Sequence, residues 1–127
     1  MKEYINNIEE LTLKNENFRE VLYTTPNMQL VLMSLLPREE IGEEIHHLDQ
    51  FFRVEKGLGK AIINGNEYAL SDGSVVIVPS GSKHNILNDS DTETLKLYTI
   101  YTPKNHPEGT IHKTKAEADE YEKQHEH

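Results

Sequence analysis

Gly73-Ser74-Val75-Val76-Ile77-Val78-Pro79-Ser80-Gly81-Ser82-Lys83-His84-Asn85-Ile86-Leu87-Asn88 decides the fold. Val75 to Val78 is a run of β-branched residues, which reads as a short buried strand. Pro79 stops it, because proline has no N–H to give to a ladder. Gly81 opens the turn that follows, and the chain resumes as a strand from Asn85 to Asn88 with His84 at its start.

The same texture extends to both sides. Upstream, Phe18 to Tyr23, Met28 to Leu36, Glu43 to His46 and Gln50 to Glu55 read as strands, with Pro26, Pro37 and Gly57 among the breaks. Ala61 to Ile63 and Glu67 to Leu70 flank Asn64-Gly65, a pair that favours a tight hairpin with positive φ at both central residues. Downstream, Leu95 to Tyr101 is a further strand. About eight or nine short strands separated by turn signals predict an all-β sandwich or jelly-roll barrel rather than an α/β fold. The ends differ from this core. Asn6 to Leu13 is a short helix or an irregular arm, whereas Thr114-Lys115-Ala116-Glu117 is a capping box and predicts a polar C-terminal helix over about 114–127.

The bulk numbers bound the rest. A chain of 127 residues fits a single domain over 1–127, with its core at about 28–101. The formal charge of −9 argues against nucleic acid and anionic membrane surfaces, which call for clustered Lys and Arg. No apolar run is long enough to cross a bilayer, and the polar start has no secretory signal, so a cytoplasmic protein is expected. With no cysteine, a metal must be held by His, Asp, Glu or amide oxygen.

Of the seven histidines, His125 and His127 are expected in solvent at the end of the chain, and His106 and His112 in a surface loop. His46, His47 and His84 are different, although His47, next to His46, points the other way and is expected as a turn residue near the rim. Glu44 and His46 are two apart, so on a strand they point to one face. Gln50 begins the next strand, and Phe52 and Val54 continue its face, which marks that face as the barrel interior. A carboxylate, an imidazole and an amide oxygen inside an apolar barrel are costly unless something pairs with them, and a divalent cation would satisfy all three. Tyr98 could orient a substrate if it points inward.

These segments resemble the two motifs of the cupin superfamily. The second motif, G-x5-P-x-G-x2-H-x3-N, is matched in full by Gly73, Pro79, Gly81, His84 and Asn88. The first, G-x5-H-x-H-x3,4-E-x6-G, is matched in part: Glu44 takes the first histidine, His46 the second, Gln50 the glutamate and Gly57 the closing glycine. Arg38 stands where the opening glycine belongs, with Gly42 nearby. The passage around Asp49-Gln50-Phe51-Phe52 is similar to a subgroup of small one-domain cupins with Gln in place of Glu, often labelled mannose-6-phosphate isomerase-like.

The resemblance implies a double-stranded β-helix holding one divalent transition metal ion, Fe, Mn, Ni or Zn, bound by His46, Gln50 and His84 with Glu44 as the fourth ligand. Glu44 has a rival role as the catalytic acid or base beside the ion. Gln50 could instead hydrogen-bond a ligand or the backbone. Two functions follow: a metal-dependent enzyme on a small organic molecule (a sugar or keto-acid isomerase or lyase, or a dioxygenase), or a non-catalytic small-ligand-binding barrel with a structural metal or none. A homodimer is expected, with the strand from Phe18 to Tyr23 either pairing with a neighbour's sheet or covering its own barrel.

Overall fold

A computed structural model of the chain describes residues 1–125; Glu126 and His127, the expected end of the tail, lie outside the described residues. The strands are β1 (Arg19–Thr24), β2 (Gln29–Leu35), β3 (Glu44–Ile45), β4 (Asp49–Lys56), β5 (Gly59–Ile63), β6 (Asn66–Leu70), β7 (Val75–Val78), β8 (Lys83–Asn88), β9 (Leu95–Thr102) and β10 (Ile111–His112). They form two antiparallel sheets, one ordered β10-β1-β2-β9-β4-β7 and the other β3-β8-β5-β6. Helices α1 (Ile8–Lys14) and α2 (Lys115–Gln124) flank them. The N-terminal arm is therefore a helix over part of its length, started by Asn7, whose Oδ1 accepts from the Glu10 N–H at 2.9 Å. Thr114 caps α2 in the same way, with Glu117 N–H donating to its hydroxyl at 3.1 Å.

Alternation along each strand builds the interior in rows. Gln50 lies opposite Tyr101, and Tyr101 opposite Gln29; Phe52, Thr99, Val31 and Val21 form the next row. Val54, Leu97, Met33 and Arg19 form a third, with His112 beyond Arg19 on β10. All of these side chains are buried. The middle row is apolar apart from Thr99, and it packs with Ile86, Val76 and Val78 into the core.

The turns behave as their residues require. Asn64 and Gly65 both adopt positive φ, 49° and 85°, and the hairpin closes with Ile63 opposite Asn66. Gly57 is forced twice over: its φ is 118°, and a Cβ there would meet the Thr94 carbonyl oxygen at 2.9 Å. Asn88 closes the other motif as a tie between strands. Its side-chain amide donates to the carbonyls of Leu35, Leu36 and Glu93, and its oxygen accepts from Ser90 N–H.

Two expectations change. The strand expected from Glu43 to His46 shrinks to two residues, because β3 is an edge strand with one partner and the chain must turn at His46 to reach the other sheet. The passage from Pro103 to His112, expected as a surface loop, ends in β10, which pairs with Arg19 and Glu20. A further backbone bond, Val21 N–H to Thr110 O, extends that cover. The outer edge of β1 is thus met by the chain's own segment. Arg19 and Val21 of β1 are buried in the barrel, and Leu22 and Tyr23 are half-buried.

Candidate metal centre

His84 enters the barrel because β8 turns in directly after Gly81, whose φ of 88° swings the chain round. Gly81 N–H donates to the His46 carbonyl at 2.8 Å, and Ser80 N–H to Asp49 Oδ1 at 3.0 Å. These bonds lock the turn of one motif to the loop of the other. Glu44 lies directly opposite His84 across the β3–β8 pair. The imidazoles of His46 and His84 are 5.3 Å apart between centroids, and Tyr101 meets His46 edge-on at 5.9 Å. Donor atoms of Glu44, His46 and His84 lie within 4.8 Å of one another, an arrangement that could hold a metal ion.

Hydrogen bonds leave the right atoms bare. A backbone carbonyl only accepts, so the 3.0 Å contact between His84 Nδ1 and Ser82 O puts the proton on Nδ1 and a lone pair on Nε2. Gln50 spends its amide N–H on Thr99 Oγ1 at 3.0 Å, which turns Oε1 away from that partner. Among the described residues, His46 Nε2, His84 Nε2 and Gln50 Oε1 are all buried without a hydrogen-bond partner. Such orphans are rare in folded proteins, and each forfeits about 1–3 kcal/mol. A divalent cation accepts lone pairs from nitrogen and oxygen alike, so the donor set fits one.

Electrostatics favour the same state. Burial pushes the Glu44 carboxyl up, but its contact with His46 and the charges of His46, Arg19 and His84 outweigh that and hold it below the usual range. Its Oε2 is 3.5 Å from His46 Nε2, too long for a strong hydrogen bond. Glu44 is the most open of the three at 23% side-chain exposure, against 14% for His46.

A second wall stands beside these donors, and sequence reasoning missed it. Tyr101, not Tyr98, is the inward tyrosine of β9; Tyr98 faces outward against Phe51, with ring centroids 6.1 Å apart. The Tyr101 hydroxyl shares a 3.2 Å hydrogen bond with His106 Nε2, and burial raises its pKa far above the ordinary phenol value. His106 lies in the loop between β9 and β10, as expected, but half-buried rather than solvated. Gln29 Oε1 accepts from its backbone N–H, and burial together with the Arg19 charge pushes the imidazole down to about 3. His112, also expected in solvent, is buried, and its Nδ1 accepts from Arg19 Nη1 at 3.3 Å. His47 is exposed, as its place after His46 implied.

Comparison with known proteins places this geometry in context. The family described as "Cupin domain" matches residues 31–101. Protein L612 of Acanthamoeba polyphaga mimivirus is 47% identical over 112 residues, which cover 85% of this chain and 70% of L612. Protein YrkC of Bacillus subtilis (strain 168) is 44% identical over 124 residues, 92% of this chain and 66% of YrkC. Among solved structures, BH2720 from Bacillus halodurans superposes with a TM-score of 0.91 at 40% identity, covering 94% of this chain and 95% of that one.

Proposed function

This chain belongs to the cupin family, and on that premise we propose that it is a metal-dependent enzyme acting on a small organic molecule. His46, Gln50 and His84 would hold one divalent transition metal ion, with Glu44 as the fourth group. The observation that carries this reading is the set of three buried lone pairs with no other partner, two imidazole and one amide. Such an ion supplies Lewis-acid polarisation of a carbonyl or enolate oxygen when bound.

The protein's own groups would do the rest. The Glu44 carboxylate is ionised at neutral pH and more open than either imidazole, so it can take a proton from a substrate held against the donors. His106 stays neutral and Tyr101 stays protonated, so together they offer a fixed, uncharged hydrogen-bonding pair at the same wall. Phe52 lies against His84 with ring centroids 6.2 Å apart and helps to keep water off that imidazole. Proton transfer next to a polarised carbonyl is the core of a sugar or keto-acid isomerase or lyase, which is the reading this set supports best.

The four-donor set also favours a second reading. Four protein ligands fill a tetrahedral ion with no position left for substrate, which would make the metal structural and the barrel a binding module. Cobalt(II) titration separates the two. The enzyme reading predicts one equivalent bound, with the weak visible absorption of a five- or six-coordinate ion that shifts when a small ligand is added. Intense tetrahedral bands, unmoved by added ligand, would favour the structural metal. No binding of cobalt at all would end both metal readings.

A further inference from the structure

Arg19 is the largest of the fully buried side chains, and the reading above gives it no task. Its position follows from register. On β1 it shares a face with Val21, and the two lie opposite Met33 and Val31, so Arg19 points into the barrel. Its side chain is 2% exposed. A guanidinium carries five N–H donors and no acceptor, and burying it without matching oxygens is expensive. Arg19 is poorly matched. His112 Nδ1 accepts one bond at 3.3 Å, and the nearest carboxylate oxygen of Glu122, on α2, is 3.8 Å from Nη1, outside hydrogen-bonding range. Nε has no partner among the described residues.

The charge is enclosed in the same barrel as the donor cluster. The row of Arg19 continues through Met33 to Leu97 on β9, the strand whose Tyr101 also points inward. The guanidinium thus shares the interior with the donor cluster, and its charge acts on Glu44, Tyr101 and His106. Glu44 in that cluster and Glu122 at its edge face Arg19 and the two positive charges of the proposed ion, so two negative charges stand against three positive. The interior is therefore short of negative charge, and an anionic ligand would restore the balance.

We propose that Arg19 is the anion-recognition residue of this barrel and that its ligand is a small carboxylate-bearing molecule, with the Glu122 carboxylate as an internal competitor for the same guanidinium. The substrate class rests on the metal reading above for its charge balance, but the arginine contact itself does not need the ion. A carboxylate is favoured over a phosphate because its two coplanar oxygens match one guanidinium fork, whereas a dianionic phosphate calls for more donors than this wall presents. Glu122 is half exposed at the edge of that wall and can swing out.

The test is calorimetric binding of acetate, pyruvate and 2-oxoglutarate, each against its neutral amide, to the full chain both metal-free and manganese-loaded. At least one carboxylate is expected to bind, with its amide weaker by roughly ten- to a hundredfold, as loss of a charge-assisted bond implies. Arg19→Gln should lose that discrimination. Arg19→Lys, which keeps the charge and the burial but not the fork, should weaken binding by about tenfold and serves if Arg19→Gln does not fold. Glu122→Gln should tighten the carboxylate a few-fold and leave the amide unchanged.

Absence of carboxylate binding across the panel would overturn the proposal, as would equal binding of acid and amide or an Arg19→Lys variant indistinguishable from wild type. Failure of the metal reading looks different. Manganese would then not bind at all, while Arg19-dependent carboxylate binding to the metal-free protein would persist and sustain the inference.

Discussion

Two walls adjoin inside this barrel, at Gln50 and Tyr101, and they are held by different means. The donor wall, Glu44, His46, Gln50 and His84, comes from two short stretches of chain that touch through neighbouring strands and a locked turn. Two of its side chains are aimed by hydrogen bonds, His84 by Ser82 and Gln50 by Thr99 on the neighbouring strand. The adjoining wall, Arg19, Tyr101, His106 and His112 with Glu122 behind, is gathered from both ends of the chain. Its contacts run from His106 back to Gln29 and from His112 back to Arg19. The donor wall is fixed chemistry set by local geometry. The other wall is long-range, and it is where a small barrel can change its ligand without disturbing the donors.

The contrast can be broken most sharply by His84→Ala. Removing a direct donor should lower metal affinity by more than about a hundredfold, beyond the 10–100-fold typical of an outer partner. Competition with a chromogenic chelator reads that loss. Carboxylate binding through Arg19 in the metal-free protein should survive. If it is lost as well, the two walls are not separable.

The second effect is on acid stability. The folded His106 pKa is pushed down to about 3, while the unfolded imidazole titrates near 6.5, so between those values the unfolded state holds more protons. Stability contributed by the neutral ring is therefore lost as pH falls from about 6.5 toward 3, and regained as pH rises. At pH 5 the cost is roughly 2 kcal/mol. Urea unfolding of metal-free protein at pH 7 and pH 5 should show this loss in wild type, and His106→Gln should shrink it by about that amount. An unchanged difference would place His106 in solvent.

Smallest of the three is Thr99→Val, which keeps shape and deletes the hydroxyl that orients Gln50. Metal affinity should fall by about tenfold with little change at the Arg19 wall. If affinity is unaffected, Gln50 does not depend on Thr99 for its aim, and the local account of the donor wall weakens.

The same contrast explains what was legible in the sequence. Strand alternation and the spacing of Gly73, Pro79, Gly81 and His84 disclosed an all-β barrel, and they disclosed that His46 and His84 belong inside it. Glu44, His46 and Gln50 are close in sequence, so alternation sufficed to bring them together. Arg19 was hidden because both faces of Phe18 to Tyr23 carry apolar residues, which leaves the inward face of β1 undecided. The same ambiguity drew attention to Tyr98 in place of Tyr101 on β9. The half-burial of His106 and the burial of His112 were hidden because they depend on Gln29, Tyr101 and Arg19, 77, 5 and 93 positions away. No local pattern carries that information, and a strand of two residues such as β10 leaves no period to read.

The central claim is that His46, Gln50, His84 and Glu44 form one metal site. Elemental analysis of protein purified without a histidine tag tests it most directly, comparing wild type with the His46→Ala/His84→Ala double variant. The account predicts near-stoichiometric transition metal in the wild type and its loss in a variant that still unfolds cooperatively. Wild-type protein that stays free of metal, even after reconstitution with iron(II), manganese(II), nickel(II) and zinc(II), would contradict it.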